Sequence, residues 1–169
     1  MKSILGIRRA SEFSPNHTGN DSKIFSLTVE QLEAKGCKVR QMTEEEFIQE
    51  ENIDEEIIFS MIRNQQNVDK LKKLEKTGKT VINSGTGIEN CFRANMTELL
   101  LNNNIPHPES FILSTNEDTK PVFDKLENKN VWINRGDFHT VHKEDIAFCR
   151  DYKEANSILR EFALRGIPN

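Results

Sequence analysis

Four short apolar runs, each followed by a helical stripe or a turn, fill the first half of the chain, and this rhythm is the tightest constraint on its fold. Ser3-Ile4-Leu5-Gly6-Ile7, Cys37 to Gln41, Ile57-Ile58-Phe59 and Thr80-Val81-Ile82 read as strands. Arg8 to Asn20 is rich in Ser, Pro, Asn, His and Gly and reads as a long loop. Asp21 can then cap a helix carrying Phe25, Val29 and Leu32 at helical spacing, with Gly36 as its stop. Thr43-Glu44-Glu45-Glu46 opens a second helix, its acids lying at the positive end of the helix dipole. Val68, Leu71 and Leu74 form a third stripe that ends at Gly78. Strand and helix in alternation predict an α/β fold with a parallel sheet covered by helices.

The second half has a different character. Met96, Leu99 and Leu100 mark a helix that stops at Asn102-Asn103-Asn104, and Pro106 and Pro108 force an extended linker into a strand over Ser110 to Leu113. A short helix over Pro121 to Leu126 is followed by strands at Val131-Trp132-Ile133 and Ile146-Ala147-Phe148. Asp151 and Glu154 form a capping box for a last helix with Tyr152, Ala155, Leu159, Phe162 and Ala163 on one face. The 169 residues therefore divide into an α/β lobe over 1–92 and a smaller α+β lobe over 93–169.

Charge and cysteine usage narrow the function classes. Eight acids and no bases lie between Glu44 and Glu56, and the remaining 19 acids face 23 bases. An acidic patch on a mildly basic body argues against a nucleic-acid partner, which needs clustered bases along a face. The run itself reads as a solvated helix and connector. No apolar run approaches the ~20 residues of a membrane span, and the amino terminus lacks the apolar centre of a secretion signal, so cytoplasm is expected and a membrane partner is not. Cys37, Cys91 and Cys149 are widely spaced and read as buried free thiols rather than as disulfide or zinc ligands. Trp132 reads as a core residue.

Three places could hold chemistry. Arg8, Arg9, Ser11 and His17 follow the first strand, and Asn83-Ser84-Gly85-Thr86-Gly87 follows the fourth, where small residues leave backbone N–H groups open to an anion. The third is Val131 to His139, a strand that runs into a Gly136-Asp137 turn with Arg135 at its end. An ordinary turn or hairpin with a solvated arginine accounts for the last two places equally well. Neither a dinucleotide fingerprint nor a P-loop is present, and no Ser or Cys sits in a nucleophile elbow. His139 and His142 lack a third ligand at useful spacing, so no metal site is expected.

The order of parts adds to this. Val81-Ile82-Asn83-Ser84, Ile88 to Arg93, Met96-Thr97-Glu98-Leu99-Leu100 and Ile105-Pro106-His107-Pro108-Glu109-Ser110 follow one another, with Val131 to Asp137 beyond. This succession resembles the ATP-grasp superfamily, whose members carry a strand ending in Asn, a short helix, a Lys or Arg, a Thr-x-x-Leu helix and an Ile-Pro-x-Pro lead into a strand. Residues 1–92 are similar to the Rossmann-like pre-ATP-grasp domain, and 93–169 to the first ATP-grasp subdomain.

The resemblance implies ATP held between two subdomains, with Mg²⁺, and phosphoryl transfer to a carboxylate that an amine then attacks. Small-molecule carboxylate and amine substrates are the implied partners, and a homodimer is compatible with it. It assigns phosphate contacts to Arg93, Asn134, Arg135, Gly136, Asp137 and His139, and places Arg8, Arg9 and Ser84 toward the second substrate; it singles out no catalytic residue. Asn134 stands where the family has its second Lys. The Mg²⁺ ligands and adenine segment are expected in a second subdomain after Asn169, so the chain reads as the front portion of a carboxylate–amine ligase that is inactive alone. A non-catalytic module for nucleotide or small anions is the alternative, and a protein that docks through its acidic run is a third.

Overall fold

A computed structural model describes residues 2–127, 129–137 and 140–169. It divides into two compact units, Met1–Glu89 and Asn90–Asn169. In the first, β1 (Ser3–Ile7), β2 (Lys38–Met42), β3 (Ile57–Ser60) and β4 (Thr80–Ile82) form a four-stranded sheet in the order β2-β1-β3-β4. All three pairings are parallel, with Leu5 opposite Arg40 and Ile58, and Ile58 opposite Val81. The linking helices are α1 (Thr18–Ala34), α2 (Glu44–Gln49) and α3 (Gln65–Lys76), with α4 (Gly85–Glu89) closing the unit. This is a Rossmann-like α/β arrangement.

Its core follows from the sequence stripes. Leu5, Ile7 and Ile58 from the central strands pack with Phe25, Phe47, Val68 and Leu71 from the helices, all fully or almost fully buried. Glycine is required inside β1 for a steric reason. A Cβ on Gly6 would lie 2.5 Å from the Phe59 ring and 2.9 Å from that of Phe25, two rings whose centroids are 5.1 Å apart. Thr43 caps α2 through the full reciprocal box with Glu46, as the sequence predicts. The first helix begins at Thr18, earlier than expected, because the chain turns through a 3₁₀ segment at Ser11–Phe13 and His17 then serves as its N-cap.

The acidic run is solvated only in part: Glu45, Glu46, Glu51, Asp54 and Glu56 are exposed, whereas two of its acids turn inward. Glu44 and Glu55 are buried, and Arg40 pairs with both Glu55 (2.9 Å) and Glu50 (3.1 Å). Lys70 donates to the carbonyls of Phe47 and Glu50 at the end of α2, and Lys79 to that of Glu55. Basic residues distant in sequence fold back onto the run, which a count of local charges does not reveal.

In the second unit, α5 (Arg93–Asn102) leads through an irregular stretch to α6 (Lys120–Lys125), then β5 (Val131–Asn134), β6 (Ile146–Cys149) and α7 (Tyr152–Leu164). β5 and β6 pair antiparallel, Val131 opposite Cys149 and Asn134 opposite Ile146. Phe123, Cys149 and Ala155 centre a small core with Val131, Ile133, Tyr152 and Ile158 against it. Ser110 to Leu113 does not form the expected strand; Phe111 and Ile112 stay exposed and the segment joins no sheet. Trp132 is not core either. Strand alternation turns it away from Val131 and Ile133, leaving it 64% exposed with the Phe148 ring beside it, 5.2 Å away. Asp151 caps α7 by accepting from Lys153 and Glu154 N–H, while Glu154 reaches back to Arg150 rather than to Asp151 itself. Of the three thiols only Cys149 is buried; Cys91 is exposed. Among the described residues no helix is long and apolar enough to cross a membrane.

Gly6→Ala should cost about 1–3 kcal/mol, because two packed rings must shift to admit one methyl group. Urea unfolding of the variant, read by the shift in midpoint at constant slope, measures this.

Candidate functional site

The carboxyl edge of the parallel sheet gathers the first set of residues. Arg8 and Arg9 follow β1 and line a cavity of about 90 Å³ with Ser11, Thr18, Asp21 and Met61. Arg9 is committed within the unit: it pairs with Asp21 at 3.1 Å and donates to the Met61 carbonyl at 3.1 Å. This ties the end of β1 to α1 and to the end of β3. Arg8 donates to Gln41 at 2.6 Å and lies over the Phe25 ring at 4.7 Å, with no carboxylate partner among the described residues. Ser84 accepts from Gly87 N–H at 2.9 Å and so caps α4. The neighbouring Gly85 N–H goes to Glu75 at 3.0 Å. A Cβ on Gly85 would meet the Lys72 side chain at 2.8 Å and the Val68 carbonyl at 3.0 Å, so glycine is what lets α4 approach α3. The small residues after β4 thus serve helix packing and capping within the chain.

In the second unit a cavity of about 230 Å³ opens beside β5. Arg93 and Thr97 of α5, Asn134 and Gly136 of the hairpin, Phe111 and Leu126 are among its walls. The head of α5 is fastened there by Ala94 N–H to the Gly136 carbonyl at 2.9 Å, and Gly136 N–H donates to the Asn169 carbonyl at 2.6 Å. A Cβ on Gly136 would fall 2.6 Å from Asn169 Oδ1, so this turn also needs glycine. The Arg93 Nε is buried and has no hydrogen-bond partner among the described residues. Such a donor is unusual, since buried polar groups are almost always paired.

Arg93, Asn134 and Gly136 therefore come together on one cavity, but Arg135 and Asp137 are otherwise engaged. Their side chains form a two-point pair with both distances 2.9 Å, and Arg135 lies 3.5 Å from Asp145. His139 falls outside the described residues.

Sequence reasoning missed Asp145. Its carboxylate is fully buried, accepts from the N–H groups of Val141 and His142 at 2.9 Å each, and pairs with Arg165 at the end of α7. Burial works to raise its pKa, but those two N–H groups and the Arg165 and Arg135 guanidiniums outweigh burial and hold it well below the usual carboxylate range. Asp145 thus pins the hairpin connection onto α7, directly behind the turn that holds Gly136. Nothing in its local sequence distinguishes it from a surface acid. Burial pushes the Cys149 thiol up to about 11, which marks it as an inert core group. Among the described residues no cluster of three His, Cys, Asp or Glu could hold a metal ion. No protein-family model matches the chain, and no curated protein matches it significantly.

Asp145→Asn should destabilise the second unit by about 1–3 kcal/mol, because the buried carboxylate loses its charge-assisted bonds to Arg165 and to the Val141 and His142 N–H groups. The folded-state pKa of Asp145 is depressed below the ordinary value of about 3.9, so its contribution is fully present above that pH and is lost as pH falls toward the folded value. Melting temperature measured from pH 6 down to the acid limit should therefore fall less steeply in Asp145→Asn than in the parent chain.

Proposed function

We propose that the second unit holds the phosphate-bearing part of a nucleotide, and that the chain is the front portion of an ATP-dependent carboxylate–amine ligase of ATP-grasp type. The observation that supports this most is the convergence of Arg93, Asn134 and Gly136 on one cavity where the buried Arg93 Nε lacks a partner. A guanidinium offers a phosphate a charge-assisted bond and the Asn134 amide a neutral one, while the glycine turn brings the chain close enough to hold both on one wall. At about 230 Å³ the cavity is smaller than the roughly 300–1,000 Å³ of sites that enclose a whole small ligand. That size suits a surface supplying one wall of a shared site. ATP bound there would supply the phosphoryl group that activates a carboxylate. The part played by this chain is to orient the phosphates, with Arg93 as the cation. The described residues do not fit Mg²⁺, and no step is assigned to it.

A second reading is a nucleotide- or anion-binding module without chemistry. Asn134 is uncharged, and Arg135 beside it is held by Asp137 and Asp145, so the cavity carries less positive charge than phosphoryl transfer uses.

Calorimetric titration of ATP at fixed salt tests the binding claim. Arg93→Ala should weaken ATP roughly tenfold or more, and Asn134→Lys should strengthen it by a similar factor, since a hydrogen bond to a charged group is worth about 1.5–3 kcal/mol. Silence of both substitutions removes the cavity from nucleotide binding. ADP release that depends on an added carboxylate separates the ligase from the module.

A further inference from the structure

We propose that the carboxyl edge of the parallel sheet carries a carboxylate-binding site whose resident ligand is the protein's own Glu44 side chain. Four donors converge on that carboxylate, and none belongs to α2, which carries it. Ala10 N–H, after β1, donates at 2.9 Å; Arg63 N–H, after β3, lies 3.3 Å from each oxygen; Asn64 N–H donates at 3.0 Å; and Asn67 Nδ2, on α3, donates at 3.2 Å. Glu44 is 3% exposed and Asn67 likewise 3%. The Asn67 amide also donates to the Glu44 backbone carbonyl at 3.2 Å, while its own Oδ1 is buried and unpaired, so the amide is committed to the carboxylate rather than shared with its surroundings.

The position matters. With the strand order β2-β1-β3-β4, the connections leaving β1 and β3 diverge, and the crevice between them is where open parallel sheets receive ligands. A planar carboxylate presents about four acceptor directions on two oxygens, which four donors can fill. The cradle is therefore built by the sheet ends and α3, and Glu44 is only its occupant. Its ligand class is a small monocarboxylate, and the native side chain keeps it closed to one from solution.

Removing the side chain should open the site. Glu44→Ala should melt roughly 5–10 °C below the parent chain, because three partly buried N–H groups and the buried Asn67 amide lose their acceptor. Formate at roughly 100 mM should restore a substantial part of that loss by filling the cradle, whereas chloride at equal ionic strength should not. The parent chain and Glu44→Gln, in which the space stays filled, should show no difference between the two salts. If Glu44→Ala does not fold by itself, refolding in formate against chloride gives the same readout through circular dichroism. Amide resonances of Ala10, Arg63 and Asn64 should shift with formate in the variant alone. Equal behaviour of the variant in formate and chloride, folded or unfolded, overturns the proposal. So does a formate response of the same size in the parent chain.

Discussion

A parallel sheet sends the ends of all its strands to one edge, and the loops that leave there carry N–H groups with no ladder partner. Each must find an acceptor or water, because an unpaired buried N–H costs about as much as a lost hydrogen bond. In the first unit the acceptors come from within. Glu44 serves the loops after β1 and β3, Glu75 the glycine at the head of α4, and Ser84 the next turn of that helix. The Arg9–Asp21 pair and the Arg9 bond to Met61 then fix the spacing between those loops. The edge that the fold makes ready for an anion is in large part ligated by side chains of its own helices.

The second unit solves a different problem. A two-stranded sheet is marginal by itself and needs packing against helices. Here α6 and α7 cover one face through Phe123 and Ala155, while the end of the connection leading into β6 takes its anchor from a buried acid. Asp145 provides it, drawing N–H groups from the connection and guanidiniums from β5's end and α7 onto one buried carboxylate. The turn at Gly136, and with it the wall of the cavity that includes Asn134, rests on this anchor.

Period and punctuation made most elements legible from the amino acids alone. The four strands of the first sheet, the stripe of α3 and the cap of α7 all follow from local spacing. Long-range pairing was not legible. Eight acids between Glu44 and Glu56 look solvated throughout until Arg40, Lys70 and Lys79 are brought to them, and Glu44 stands out only once it is seen to follow β2 at the same edge as the ends of β1 and β3. Ser110 to Leu113 has strand chemistry but no ladder, which no local pattern can report. At the candidate site, residue types pointed to where cations gather. They could not say that Arg135 would be claimed by Asp137 and Asp145 while Arg93 would keep a buried donor unpaired.

The placement of Trp132 has an optical consequence. It is the only tryptophan, and the only tyrosine, Tyr152, packs against the core of the same second unit. Ultraviolet emission from the native chain therefore originates in that unit and carries almost nothing from the first. With its indole 64% exposed on β5 beside Phe148, the emission lies toward the red and is open to dissolved quenchers, and a ligand settling along the strand would shield it. The first unit, whose aromatic core is phenylalanine, stays dark by comparison, so the two halves of the chain are spectroscopically separate without any label.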